Sequence, residues 1–268
     1  MTQVPAPIGV FDSGMGGLTV LRALQQSLPG ESFVYLGDTA RLPYGSKSPA
    51  TVERYALQAA DILINRGIRA LVVACNTASA FALSALKKRH SELPIFGVVE
   101  PGAEAAAESA PGASILVLAT ESTVLGGAYQ KALLARRPDL KVHARACPLL
   151  VALAEEGEHD GEFTASVLRH YLHGHVEGGS VSRPATIVLG CTHFPVFRTA
   201  LHGLVDDSTV RIVDSAETTA SKVAAALQSN GADGGCLTLL ATDGEARFKR
   251  VGSYFLGAPI DAVELVDL

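Results

Sequence analysis

The chain has 268 residues, 48% hydrophobic and 18% charged, with a net charge of −5. That length supports a sizeable core in one large or two small domains. The acidic balance, with no basic block, argues against nucleic acid or an anionic membrane as the main partner. No apolar run approaches the roughly 20 residues of a membrane-spanning helix. The start "MTQVPAP" lacks the positive charge and apolar core of a signal peptide. The expectation is a cytoplasmic protein.

In chain order, apolar and often β-branched runs alternate with helical patterns. A strand at Ile8–Phe11 precedes a helix at Leu18–Leu28, and a strand at Phe33–Leu36 precedes a helix at Pro49–Arg66. Strand Leu71–Ala74, helix Ala78–Arg89 and strand Ile95–Val98 follow. Next come strand Ile115–Ala119, helix Val124–Arg136, strand Val142–Arg145 and helix Glu162–His173. Strands at Ile187–Leu189 and Arg211–Val213, helix Thr218–Gln228, strand Leu237–Leu240 and helix Glu245–Tyr254 complete the series. Short, nearly continuous apolar strands between helices predict an α/β fold with parallel sheets covered on both faces. "HVEGGSVSRP" is the one linker-like stretch of note.

A faint internal repeat is present. "RALVVACNTAS" and "ATIVLGCTHFP" each run from an apolar strand into a Cys, small polar residues and a helix. Each has an earlier partner strand at a similar offset, "IGVFDS" and "ILVLATEST". Two α/β units built alike would each end an inner strand on a Cys, where open α/β sheets bind ligands.

The turn in "IGVFDSGMGGLTVL" invites comparison with a dinucleotide-binding loop. Gly14 and Gly16 fit that pattern, and Asp38 follows a second strand, but Thr19 takes the third glycine position. Asp12 at the strand end would repel a pyrophosphate, and no Walker lysine is present. The plainer reading is a tight turn whose glycines permit positive φ.

Four cysteines occur, none in a Cys-x-x-Cys pair. In a reducing compartment disulfides are not expected. Cys147 and Cys236 read as small buried hydrophobes. Cys75 and Cys191, at like strand ends, suit a different chemistry: thiols on opposite faces of a carbanion can remove a proton from one side and return it on the other. Asp12 is a candidate neighbour for Cys75, and His193 for Cys191. Asn76, Thr77, Ser79 and Thr192 offer donors at loop-to-helix junctions, where free backbone N–H groups also meet a carboxylate. Taken singly, Asn76-Thr77 and Thr192 read as ordinary helix caps.

With "GVFDSGMGGLTVL", "YLGDTARLPYGSKS", "ACNTASA", "GVVEPG", "GAYQKAL" and "GCTHFP" in this order and spacing, the chain resembles the glutamate racemases of the cofactor-independent aspartate/glutamate racemase superfamily. The resemblance implies two pseudo-symmetric α/β domains with mainly parallel sheets and an active site in the cleft between them. Residues 1–97 with 210–268 would form the first domain and 98–209 the second. It implies interconversion of L- and D-glutamate by a two-base mechanism without pyridoxal phosphate, metal or flavin, with Cys75 and Cys191 as acid/bases. Asp12 and His193 match the assisting residues, and the family's glutamate falls on Glu155 in "LVALAEEG", with Glu156 adjacent and Ala152 and Ala154 departing from the usual pattern. Substrate contacts carry over to Asp12, Ser13, Tyr44, Gly45, Asn76, Thr77, Thr123, Thr192 and His193. Ala119 replaces the usual Gly before Thr120. A bacterial cytoplasmic enzyme supplying D-glutamate to peptidoglycan is implied, as is a homodimer.

The rivals are other reactions of the superfamily, aspartate racemisation foremost, since one methylene is worth only about 1–3 kcal/mol of discrimination. A Cys191–His193 hydrolase suffers from the two-residue spacing at a strand end. A two-lobed binding protein leaves the matched cysteines without a role. His170, His173 and His175 in "RHYLHGH" have irregular spacing for zinc and read as an exposed helix end, so no metal site is expected.

Overall fold

Among the residues that the computed structural model describes (6–175, 183–205, 209–227 and 234–268), the strands form two separate parallel sheets. The first half runs β1 (Ile8–Asp12), α1 (Leu18–Ser27), β2 (Phe33–Gly37), α2 (Pro49–Asn65), β3 (Ala70–Val73), α3 (Asn76–Arg89) and β4 (Ile95–Gly97). Helix α4 (Val99–Ala106) leads to β5 (Ser114–Ala119), α5 (Glu121–Gly126), α6 (Ala128–Arg136) and β6 (Lys141–Ala146). Then come α7 (Pro148–Glu156), α8 (Gly161–Leu172), β7 (Thr186–Gly190), α9 (Arg198–His202) and β8 (Arg211–Asp214). The chain returns through α10 (Ser215–Ala226) to β9 (Leu237–Ala241), α11 (Glu245–Leu256) and β10 (Glu264–Leu265).

The first sheet has the order β10-β9-β2-β1-β3-β4 and the second β6-β5-β7-β8. The run β2-β1-β3-β4 therefore has the same topology as β6-β5-β7-β8, and the internal repeat is a repeat of structure. Strands β1, β3, β5 and β7 are buried along their whole length. That is why they read as unbroken apolar runs rather than as alternation. The edge strand β6 is only partly covered, and polar residues enter it. Helix α2 starts where Pro49 follows Ser48, whose hydroxyl accepts from the Thr51 N–H at 3.4 Å. Helix α3 ends on Lys87, Lys88 and Arg89, the charge that suits the negative end of a helix dipole.

Several expectations are corrected. Strand β8 pairs with β7, Ile187 opposite Ile212, so the return to the first sheet falls after Asp214 and not at 210. The helix expected over Val124–Arg136 is two helices, broken by Gly127 at φ 66°. Helices α4, α7 and α9 were not foreseen. Pro101 and Gly102 mask the pattern of α4, although proline is tolerated in a first turn. Helix α7, "PLLVALAEE", is apolar on nearly every side and shows no clear period. Helix α9 is five residues long, too short for one. Cys236 is exposed, not a buried hydrophobe; Cys147 is buried as expected. Residues 176–182 of the linker-like stretch, and Gln228 at the expected helix end, lie outside the described residues. No helix among the described residues is long and apolar enough to cross a membrane.

Candidate active site

Parallel pairing sets the site. Phe11 of β1 lies opposite Val73 of β3, which brings Asp12 and Cys75 to adjacent strand ends. In the second sheet Ala119 lies opposite Gly190, which does the same for Thr120 and Cys191. The two sets of ends meet at one cavity of about 40 Å³, room for a few waters. Its walls include Ser13, Tyr44, Gly45, Cys75, Asn76 and Thr77 from the first half, and Thr120, Val151, Cys191, Thr192 and His193 from the second.

Cys75 caps α3, its sulfur accepting from the Ala78 N–H at 3.4 Å and lying 3.4 Å from Ser13 Oγ. Only 5% of the residue is exposed. Burial first, and the Asp12 carboxylate second, push this thiol up to about 12. Asp12 is fully buried behind the wall, accepting from the Gly14 N–H at 2.9 Å and from Thr192 Oγ1 at 3.5 Å. Burial raises its carboxyl against the opposing pull of His193 and of backbone N–H groups at Gly17, Gly14 and Ser13.

On the other side, Cys191 Sγ lies 3.8 Å from His193 Nδ1, so the two-residue spacing brings these side chains together rather than apart as expected, and His193 Nε2 lies 3.1 Å from Glu155 Oε1. Burial alone would lower the imidazole, but its bonds to Cys191 and Glu155 prevail and raise it to about 10. A ring protonated on both nitrogens donates to both partners at neutral pH. Of the two adjacent carboxylates, Glu155 is the one on His193. Glu156 is largely exposed and lies 3.6 Å from Arg247.

The polar lining includes an unpaired side-chain donor. Asn76 Oδ1 accepts from the Tyr129 hydroxyl at 2.7 Å, while its buried Nδ2 has no partner among the described residues. An unpaired buried amide costs stability unless something fills the cavity. Thr77, Thr120 and Thr123 form a triangle of hydroxyls, each pair 3.0 Å apart, across the two halves. Thr120 lines the cavity and Thr123 stands behind it. Tyr44 also lines the cavity, but its hydroxyl donates to Asp38. Arg41 and Thr242 donate to Asp38 as well, at 2.7 and 3.0 Å. The Asp38 carboxylate thus holds the loop that carries Gly45.

The glycines of the opening turn serve close approach. Neither Gly14, Gly16 nor Gly17 has a positive φ, contrary to the plain turn reading. A Cβ on Gly16 would sit 2.4 Å from His193 Nδ1, and one on Gly17 2.4 Å from the Asp12 Cβ. One on Gly45 would sit 2.6 Å from Thr120 Cβ. Cys75 itself is the cap of α3, so Asn76 and Thr77 do not cap it, and Thr192 caps no helix. Sequence reasoning missed Ser122, whose hydroxyl donates to Gly45 O at 2.7 Å, and Arg247, which donates to Glu155 Oε2 at 3.1 Å. It also missed Val151 and the bond from Tyr129, although "GAYQKAL" marked the latter residue.

Two like-built parallel sheets with a thiol at each matching strand end, both facing one polar cavity, define a distinct class of α/β protein. The chain belongs to the Asp/Glu/hydantoin racemase family, whose model matches residues 8–223, and it is therefore an isomerase. A glutamate racemase of Geobacter metallireducens is 46% identical over 97% of this chain and 96% of its own length. The crystal structure of glutamate racemase from Francisella tularensis in complex with D-glutamate superposes with TM-score 0.90 at 30% identity, covering 99% of this chain and 98% of that one. The Thermus thermophilus glutamate racemase, in complex with β-chloro-D-alanine, gives TM-score 0.86 at 42% identity over 98% and 97%.

Proposed function

We propose that this chain interconverts L- and D-glutamate at Cα using the thiols of Cys75 and Cys191 and no added cofactor. The observation that carries the reading is the pair of cysteines, from matching strand ends of two like sheets, on the wall of one small cavity. The glutamate racemase relatives and the D-glutamate complex support the substrate.

In each passage one thiolate takes the Cα proton and becomes S–H, and the electron pair moves into the adjoining carboxylate. The opposite S–H returns a proton to the other face of Cα and becomes the thiolate. One C–H and one S–H bond break, one of each forms, and no electrons are lost. Asp12 and Ser13 attend Cys75, and His193 with Glu155 attends Cys191. Substrate carboxylates are received by Asn76 Nδ2, Thr77, Thr192 and the N–H groups opening α3, beside Tyr44 and Gly45, with Thr123 supporting Thr120. The proposal includes a bacterial cytoplasmic homodimer that supplies D-glutamate for peptidoglycan.

The test is incubation with L-glutamate in deuterium oxide without cofactor. Decay of optical rotation to zero with deuterium entering Cα is expected. Unchanged rotation, or activity only with pyridoxal phosphate, overturns it. L-Aspartate run alongside should react far more slowly; faster reaction would reassign the substrate.

A further inference from the structure

Glu155 is engaged on both oxygens, Oε1 by His193 Nε2 and Oε2 by Arg247 Nη2, each at 3.1 Å. Its side chain is only 14% exposed. Glu155 lies near the end of α7, and His193 follows β7, both in the second half. Arg247 stands on α11, after β9 of the first sheet. The guanidinium thus reaches from one half of the molecule to a carboxylate of the other. An ion pair to a 42% exposed arginine adds about 0–1 kcal/mol at most to stability. Its geometric effect is larger. A carboxylate turns freely about its last bond, and pinning one oxygen fixes where the other points.

We propose that Arg247 is a positioning residue for the Cys191 half of the reaction: by holding Glu155 Oε2 it aims Oε1 at His193, and so sets the imidazole toward Cys191 Sγ. The kinetic part of this proposal rests on the racemisation reading. Burial by itself would raise the Glu155 carboxyl, but its bonds to His193 and Arg247 prevail and hold it below the ordinary carboxylate value. The charged or titratable groups around it are His193, Arg247, Asp243, Glu156 beside it, Glu121 of α5 in the same half and His159 beyond the end of α7. Removing Arg247 takes away a cation, so Glu155 gains its proton at a higher pH.

The test compares Arg247→Met and Arg247→Lys with the unaltered chain. For Arg247→Met, kcat should fall about tenfold with KM held within about twofold, the pattern of a misplaced group rather than lost binding. The acid limb of the kcat profile should move to higher pH, and Arg247→Lys should recover most of the rate. A readout independent of activity is the imidazole ¹⁵N signal of His193, identified by its loss in His193→Asn. Its low-pH inflection, caused by protonation of Glu155, should move up in Arg247→Met. Arg247→Gln serves the same comparison if the Met variant does not fold. An unchanged kcat and acid limb overturn the proposal, as does a lowered melting temperature with both pH readouts unmoved. An unaltered chain inert toward glutamate would sink the racemisation reading and leave the ¹⁵N titration to decide the role of Arg247.

Discussion

Cys75 and Cys191 stand at equivalent strand ends, yet their surroundings differ in charge. Cys75 faces the Asp12 carboxylate and is pushed up, whereas Cys191 lies by an imidazole that Glu155 keeps protonated. Replacing either cysteine by serine should slow racemisation by about 10²–10⁴-fold. Because enantiomers have equal free energy, kcat/KM should fall equally from L- and from D-glutamate, as polarimetry started from each will show. His193 makes a second prediction. Its value is about 10 in the folded protein against 6.5 ordinarily, so the stability it contributes is complete below about pH 6.5 and is lost as pH rises through 10. Cys75, moving from 9.0 to about 12, contributes in the same sense only above pH 9. The melting temperature should therefore fall between pH 7 and 9, and His193→Asn should flatten that fall. An equally steep fall in the variant would place the linkage elsewhere.

At the scale of elements, the opening turn packs against the far half with no space for a methyl group. Gly16→Ala should destabilise by about 1–3 kcal/mol through overpacking and lower kcat with it. Gly203→Ala, where the nearest atom to an added Cβ is 3.5 Å away, should stay within about 0.5 kcal/mol by urea unfolding. The nine strands expected from sequence are all present; β1, β3, β5 and β7 were the plainest, because strands covered on both faces leave apolar runs that no solvent-facing residue interrupts. Helix α4 escapes such reading because Pro101 and Gly102 interrupt an eight-residue pattern, and α7 because nearly every face is apolar. That second case hid the element that carries Glu155. Asp12, Cys75, Cys191 and His193 were legible because each is fixed by two or three neighbours in the chain. Arg247 and Ser122 were not, because their partners at Glu155 and Gly45 are remote in sequence and only folding brings them together. Tyr44 lines the cavity with its ring, while its hydroxyl serves Asp38.

At the scale of the whole molecule, hydroxyls are among the groups that join the two halves beside the cavity. Ser122 reaches Gly45 O and Lys47 O, and Thr77 meets Thr120 and Thr123. A cavity this small admits an amino acid only after the halves part, and Ser122 is one of the bonds that must break. Each such bond is worth about 0.5–1.5 kcal/mol net, so Ser122→Ala should ease opening about two- to tenfold, read as faster hydrogen exchange at 45–48; unmoved exchange would show that opening does not depend on this contact.

Matched strand ends give the proposed reaction a memory. Each passage leaves the two thiols with their protons exchanged, so the protein that has just made one enantiomer is set to accept that same enantiomer back. Both cysteines are 5% exposed, and erasing the record requires a proton to cross between the sulfurs through water. On the proposed mechanism, the molecule would store the handedness of the last amino acid it released until the cleft next opens.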